Sequence, residues 1–492
     1  MGIRRWLALV LILPAACGPA PGEDFQEEAP ASESASHELQ GWRPCDTSAT
    51  LIADIRPGSV GSRPRELVHA AGELFFTADD GARGRELWKS HGTRAGASLV
   101  KDIRPGVATS NPRRLTVAGD TLFFTAEDGV HGRELWVSDG TAAGTRMVKD
   151  LWPGPIGSAP DQLLAVGHVV YFAANDGKSG NELWRSDGTA RGTFLVEDFY
   201  PGDDVSIPGL PGSSNPRRLT QLAYGFAFVA NVGDVLQVCR STGLRGATCV
   251  FTGPKDNFLL SLNAVDSSLF FLVDNNEGQA SLWRTRGGPA EYLRFLPGLY
   301  PHDLTAVGRK LFFSAGARGE DVAGDPRGEE LWVSDGTARG TALVKDLRPG
   351  TASSSPGSFA ALDGRLYFAA EEELHGRELW RSDGTARGTT LLRELVPGTQ
   401  GSAPQGLTAI SGRLFFSADT PGRGREPWTS DGTAGGTVPL QEIAPGAASS
   451  DPLAFTRSGW DVFFTATTAE SGEELWALPF RPHGRCRDRA SE

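Results

Sequence analysis

Apolar residues along the chain come in short bursts rather than in stripes. No long stretch places them at i, i+3, i+4 and i+7, the spacing of one helix face. Two kinds of burst alternate instead. One is an unbroken apolar triplet, as in Leu122-Phe123-Phe124, and the other is Glu-Leu-Trp, as in Glu134-Leu135-Trp136. Turn residues separate them. Across 111–150 the segments PRRLTVAG, TLFFTA, RELWVS and TRMVKDL are punctuated by Ala118-Gly119-Asp120, Asp128-Gly129 and Asp139-Gly140, and Trp152-Pro153-Gly154 closes the unit. Short strands joined by Gly-Asp and Asp-Gly read as antiparallel hairpins. The triplet is apolar on both faces of its strand, whereas a sheet wetted on one side would alternate. Sheets covered on both sides are therefore predicted.

The pattern repeats. The tryptophan of the second burst stands at Trp88, Trp136, Trp184, Trp283, Trp332, Trp380, Trp428 and Trp476, and Cys239 occupies its place in the doubled gap between Trp184 and Trp283. That makes nine units at a spacing near 48 residues, and each has its triplet, ending at Phe76, Phe124, Phe172, Phe228, Phe271, Phe313, Phe368, Phe416 and Phe464. Four antiparallel strands per unit at this period define a propeller blade. The fold class is all-β: a β-propeller of nine four-stranded blades, with an open β-repeat array as the alternative. The last unit stops after GEELWALPF, and the first is preceded by an unattached strand, ATLIADI at 49–55. The N-terminal strand is expected to close the last blade, which removes an exposed sheet edge. Closure brings Cys45 and Cys486 together. Cys239 and Cys249 flank a single turn in the fourth unit, so the expected disulfides are Cys45–Cys486 and Cys239–Cys249. The tryptophan is expected to fill the wedge between adjacent blades, with an acceptor for its indole N–H.

Composition narrows the setting. The chain has 492 residues, a net charge of −12, 62 glycines and 32 prolines. The acidic balance argues against nucleic acid as the partner. At the N-terminus, Arg4 and Arg5 precede the apolar run Trp6–Leu13 and then Leu13-Pro14-Ala15-Ala16-Cys17. This resembles a bacterial lipobox, with Pro14 where an aliphatic residue is usual. The expected organisation is a signal peptide at 1–16, a lipidated Cys17 and flexible tether at 17–44, the propeller at 45–486 and a tail at 487–492. Membrane contact would come through the lipid alone, on an outer-membrane lipoprotein, with a secreted protein as the alternative.

Glu-Leu-Trp-x-x-Asp-Gly-Thr stands at 134–141, 182–189, 330–337 and 378–385, and Glu426-Pro427-Trp428 continues into Asp431-Gly432-Thr433. The motif resembles the signature of bacterial ELWxxDGT repeat proteins. The resemblance covers roughly 49–480 and implies an exported propeller-like protein. It implies no activity for particular residues.

Candidate chemistry is sparse. Asp139, Asp187, Asp335, Asp383 and Asp431 are expected to build the turn from third to fourth strand, with glycine supplying positive φ and the aspartate and threonine side chains bonding nearby backbone. Loops joining second to third strands, and fourth strands to the next blade, share one face. Both long insertions, 200–216 and 316–330, fall there, as a binding surface would require. Ser-x-Pro recurs at Ser62, Ser110, Ser158, Ser214, Ser354, Ser402 and Ser450, and is expected either to line the channel mouth or to cap a turn. Asp80, Asp128 and Asp176, with Glu86, Glu134 and Glu182, offer weak calcium ligands. The glutamates could instead pair with Arg85 or Arg133. The eight histidines show no metal-ligand spacing, and no Gly-x-Ser-x-Gly elbow occurs. No catalytic residue is assigned and no cofactor beyond the calcium candidates. The expected function is a monomeric, non-catalytic surface protein that presents one propeller face to a protein or glycan. A carbohydrate-active hydrolase or lyase is the alternative.

Overall fold

The hairpins predicted from the turn residues form throughout. The computed structural model describes residues 48–480, apart from 93–95, 205–208, 244–245, 256, 276, 278, 297–298 and 317–326. The expected signal peptide, lipidated Cys17 and tether, the expected Cys45–Cys486 bridge and the C-terminal tail lie outside the described residues. The strands make nine four-stranded antiparallel sheets. Eight run in sequence order, and blade 2 is typical, with strands Arg113–Ala118, Thr121–Glu127, Arg133–Ser138 and Arg146–Lys149. The ninth is completed by the N-terminal strand Thr50–Ala53, which pairs with Gly472–Pro479 in the register Thr50↔Ala477 and Leu51↔Trp476.

The ring is closed. Each first strand touches the first strands of both neighbouring blades, and that of blade 9 (Leu453–Ser458) touches that of blade 1 (Arg65–Ala70). First strands therefore surround the axis and fourth strands lie at the rim. A core fills each wedge. Between blades 1 and 2, Phe75, Leu87 and Val100 pack with Leu122, Phe124 and Trp136. The seal between blades 9 and 1 has the same composition, with Ile52, Phe463 and Leu475 against Leu74, Phe76 and Trp88. The triplets are apolar on both sides because each sheet has a neighbour on both sides.

The tryptophans take the predicted wedge positions, but in six of the eight the expected indole acceptor is missing. The Nε1 atoms of Trp88, Trp136, Trp184, Trp380, Trp428 and Trp476 are buried and have no hydrogen-bond partner. The wall there is apolar: Trp136 stacks on Phe124 with ring centroids 6.4 Å apart. Burial of the large ring outweighs one orphaned donor, whose cost is about 1–3 kcal/mol. Trp283 differs, donating to Ser281 Oγ at 2.9 Å. In blade 4, Cys239 faces Phe228 as Trp136 faces Phe124. It is bridged to Cys249, its direct cross-strand partner.

Candidate functional site

Two recurring polar devices hold the ring, and the site lies where one of them lapses. The first device is the turn from third to fourth strand. In blade 2, Asp139 Oδ1 accepts from the N–H and hydroxyl of Thr141 at 2.8 and 2.7 Å, and Thr141 Oγ1 accepts from Gly144 N–H at 2.9 Å. Asp187, Asp335, Asp383 and Asp431 do the same. The threonine bonds hold the Asp139, Asp187 and Asp383 carboxyls below the usual range. The second glycine of the motif is required by space, since a Cβ at Gly144 would lie 2.1 Å from Asp139 Oδ1. These aspartates are structural, as the motif predicts.

The second device corrects the expected role of Ser-x-Pro. The seven serines are neither channel-lining nor simple caps: all are at most 1% exposed. Each donates its hydroxyl to the Glu-Leu-Trp or Glu-Pro-Trp glutamate of the preceding blade, at 2.5–2.7 Å: Ser62 to Glu474, Ser110 to Glu86, Ser158 to Glu134, Ser214 to Glu182, Ser354 to Glu330, Ser402 to Glu378 and Ser450 to Glu426. The same carboxylates accept backbone N–H groups of the interblade linker, such as Ile103 and Ser110 on Glu86. Each serine carbonyl then accepts from the end of the next blade's second strand, as Glu127 N–H does to Ser110. Glutamate, serine and backbone thus staple one blade to the next. The residue between Ser and Pro adopts a left-handed φ of 43–51° in all seven linkers. Burial pushes the Glu86 and Glu182 carboxyls up to about 7 and raises the other five.

This arrangement also overturns the suggested pairing of those glutamates with arginine. Arg85 donates to Thr77 O and Oγ1 at 3.1 and 3.2 Å, and Arg133 to Thr125 Oγ1 at 3.1 Å and Glu127 at 2.7 Å. The calcium candidates are not brought together. Asp80 Oδ1 accepts from Ala82 and Arg83 N–H, Asp128 Oδ1 from Val130 and His131, and Asp176 Oδ1 from Lys178 and Ser179, each capping its own hairpin loop. Among the described residues no group of three or more His, Cys, Asp or Glu is placed to hold a metal ion.

The staple lapses in blades 4 and 5. There Gln237 and Ser281 replace the glutamate, and the linkers that follow lack Ser-x-Pro. Beside this break a cavity of about 450 Å³ opens on the first strands of blades 4–6, Arg217–Gln221, Phe258–Val265 and His302–Val307. Arg218, Ser261, Asn263, Tyr300, His302 and Asp303 contribute its polar lining. Because Arg218 and His302 stand near the starts of their strands, the cavity lies toward the face that carries the interblade linkers. Tyr300 N–H donates to Gly316 O at 3.2 Å, where the 316–330 insertion begins. Glu329, from the far end of that insertion, bonds His302 Nε2 and accepts from Ser314 Oγ at 3.1 Å. The Glu329 bond raises the His302 imidazole, and the imidazole in turn lowers Glu329. None of the cavity residues belongs to a motif of the sequence. The legible signal was negative: the repeat loses its Glu and its Ser-x-Pro in the same two units.

No protein-family model matches the chain, and no curated protein matches it in sequence. Among solved structures, a prolyl endopeptidase aligns over 85% of this chain and 56% of its own length, with 11% identity and a TM-score of 0.43. The β-propeller domain of the Trilobed protease from Pyrococcus furiosus aligns over 68% of this chain and 98% of its own, with 14% identity and a TM-score of 0.36. A puromycin-hydrolyzing peptidase of Mycobacterium tuberculosis aligns over 88% and 63%, with 14% identity and a TM-score of 0.40. The chain thus spans little more than half of the first of these proteins. At this level of similarity nothing about activity or substrate carries over.

Proposed function

We propose that this chain is an exported, non-catalytic binding platform of the ELWxxDGT repeat type, tethered through a lipidated Cys17, which presents the linker face of its propeller to a partner at the cell surface. One observation supports this above others. The interblade stitching is regular except in two adjacent blades, and the break coincides with a polar cavity on the face that also carries both long insertions. Loops on a rigid scaffold are where binding residues concentrate. A cavity of this size suits a small ligand or one residue of a larger one. On the opposite face five near-identical Asp-Gly-Thr turns consume their aspartate and threonine side chains internally.

The test compares charge reversal on the two faces. Arg218→Glu alters the cavity and Arg191→Glu alters an exposed turn on the other side. Binding of the full-length chain to isolated envelope fractions is measured for each. Loss confined to Arg218→Glu supports the proposal, and equal loss in both, or loss only in Arg191→Glu, rejects the face assignment.

A further inference from the structure

We infer that the cavity across blades 4–6 receives an acidic sugar residue of an otherwise neutral glycan, with Arg218 holding its carboxylate while Asn263 and Asp303 bond its hydroxyls. This rests on the linker face being the binding face.

In eight blades the second residue of the first strand is forced to positive φ by a bulge: Glu66, Arg114, Gln162 and Arg218 in blades 1–4, at 53–59°, then Asp303, Ser358, Gly406 and Ala454. In the first three blades this bulge reaches the next blade. Glu66 Oε2 accepts from Leu115 N–H at 3.3 Å, Arg114 Nε meets Asp161 Oδ1 at 2.6 Å, and Gln162 Oε1 accepts from Arg218 N–H at 2.9 Å. Arg218 is next in line. Blade 5 offers Leu259 and Leu260 at the corresponding place, and no residue there has the left-handed bulge conformation. Among the described residues the Arg218 guanidinium has no hydrogen bond and no ion pair, and it lines the cavity. A planar five-donor cation without a counter-ion at the lip of a cavity fits a carboxylate in two-point contact.

The remaining lining decides what bears that carboxylate. Asn263 makes no side-chain hydrogen bond among the described residues, and Ser261 Oγ is buried without a partner. Among the described residues the Asp303 carboxylate has only the 3.4 Å contact to His302 Nδ1. An amide, a hydroxyl and a carboxylate call for groups that both donate and accept, which sugar hydroxyls do. Leu260, Leu262 and Leu304 supply apolar surface for the C–H face of a pyranose. A phosphate dianion would face the Asp303 carboxylate, and a polyanion would face a chain of net charge −12. One acidic residue among neutral ones brings a single negative charge near Asp303 instead of two and avoids the repulsion of a polyanion.

The probe is a glucuronyl-galactose disaccharide, titrated into the full-length chain by calorimetry at low salt, beside its methyl ester and a tripeptide with a free C-terminal carboxylate. The disaccharide should bind, and the ester should bind about 10- to 100-fold more weakly, the range for losing charge-assisted hydrogen bonds. Arg218→Gln should weaken the acid by a similar factor and bring acid and ester close together, Asn263→Ala should weaken both, and Arg191→Gln should change neither. Unchanged melting temperatures separate these effects from misfolding. Equal affinity for acid and ester, or preference for the peptide, overturns the inference. If the disaccharide does not bind while Arg218→Glu still abolishes envelope binding, the ligand class falls and the platform stands; if both fail, the binding face falls too.

Discussion

Removing both halves of one interblade staple should cost little more than removing its glutamate alone. At the junction of blades 2 and 3, Glu134 Oε2 accepts the Ser158 hydroxyl at 2.5 Å, and Oε1 accepts Ser158 N–H at 2.7 Å and Trp152 N–H at 3.4 Å. Both side chains are at most 1% exposed, so water does not substitute. Ser158→Ala removes one bond to a buried carboxylate, at a cost of about 2 kcal/mol. Glu134→Ala orphans two backbone donors and a hydroxyl, at about 1–3 kcal/mol each, less what is recovered by no longer burying a carboxyl whose pKa burial has raised. The net loss should be about 3–4 kcal/mol. The double variant should add little, giving a coupling energy of about 2 kcal/mol. Urea unfolding at pH 8 measures all four corners of the cycle. Hydrogen exchange locates the effect, since the Trp152, Ser158 and Asn175 amides converge on this staple and should lose protection first. Additive losses within about 0.5 kcal/mol, with protection of those amides unchanged, would refute the reasoning.

Other outcomes follow from the same contacts. Gly144→Ala places a Cβ 2.1 Å from Asp139 Oδ1 and should destabilise by about 1–3 kcal/mol, with a smaller penalty in an Asp139→Ala background, as thermal melts of the two pairs would reveal. Replacing Cys239 and Cys249 by serine opens a bridge of sequence separation 10 and should cost about 2–3 kcal/mol in urea unfolding; no change would mean that the strand register alone sets this hairpin. Burial raises Glu86 and Glu182 to about 7, above the ordinary carboxyl value of 4.5, so the folded state binds more protons than the unfolded one between those limits. Their contribution to stability is complete below about pH 4.5 and is lost as pH rises through about 7. Glu86→Gln with Glu182→Gln should therefore flatten the fall in melting temperature over that interval, and an equally steep fall would contradict the assignment.

The architecture was largely legible because it rests on features that sequence carries directly. Nine apolar triplets marked nine doubly covered strands, the unattached strand at 49–55 announced its partner in Gly472–Pro479, and Cys239 and Cys249, flanking a single turn, announced their bridge. The roles of the polar residues were less legible. Glu134 and Ser158 are 24 residues apart, and only the ring geometry makes them neighbours. Their joint loss in blades 4 and 5 was visible, but it acquires meaning only once the bond is seen. The indole expectation failed because a wedge wall of phenylalanine offers no acceptor, and bulk decides there. The cavity was not legible at all. It depends on a bulge at Arg218 beside a blade in which leucines replace a polar partner.

The linker face, at blades 4–6, is where this protein is proposed to meet its partner. A photoreactive amino acid placed at Asp303 or at Arg339 tests it most directly, because both positions are exposed and both belong to blade 6, on opposite faces. Irradiation in intact cells should cross-link the chain to an envelope component from position 303, with the yield cut by Arg218→Glu, and should yield no such product from position 339. Equal cross-linking from both positions, or cross-linking from 339 alone, would contradict the account.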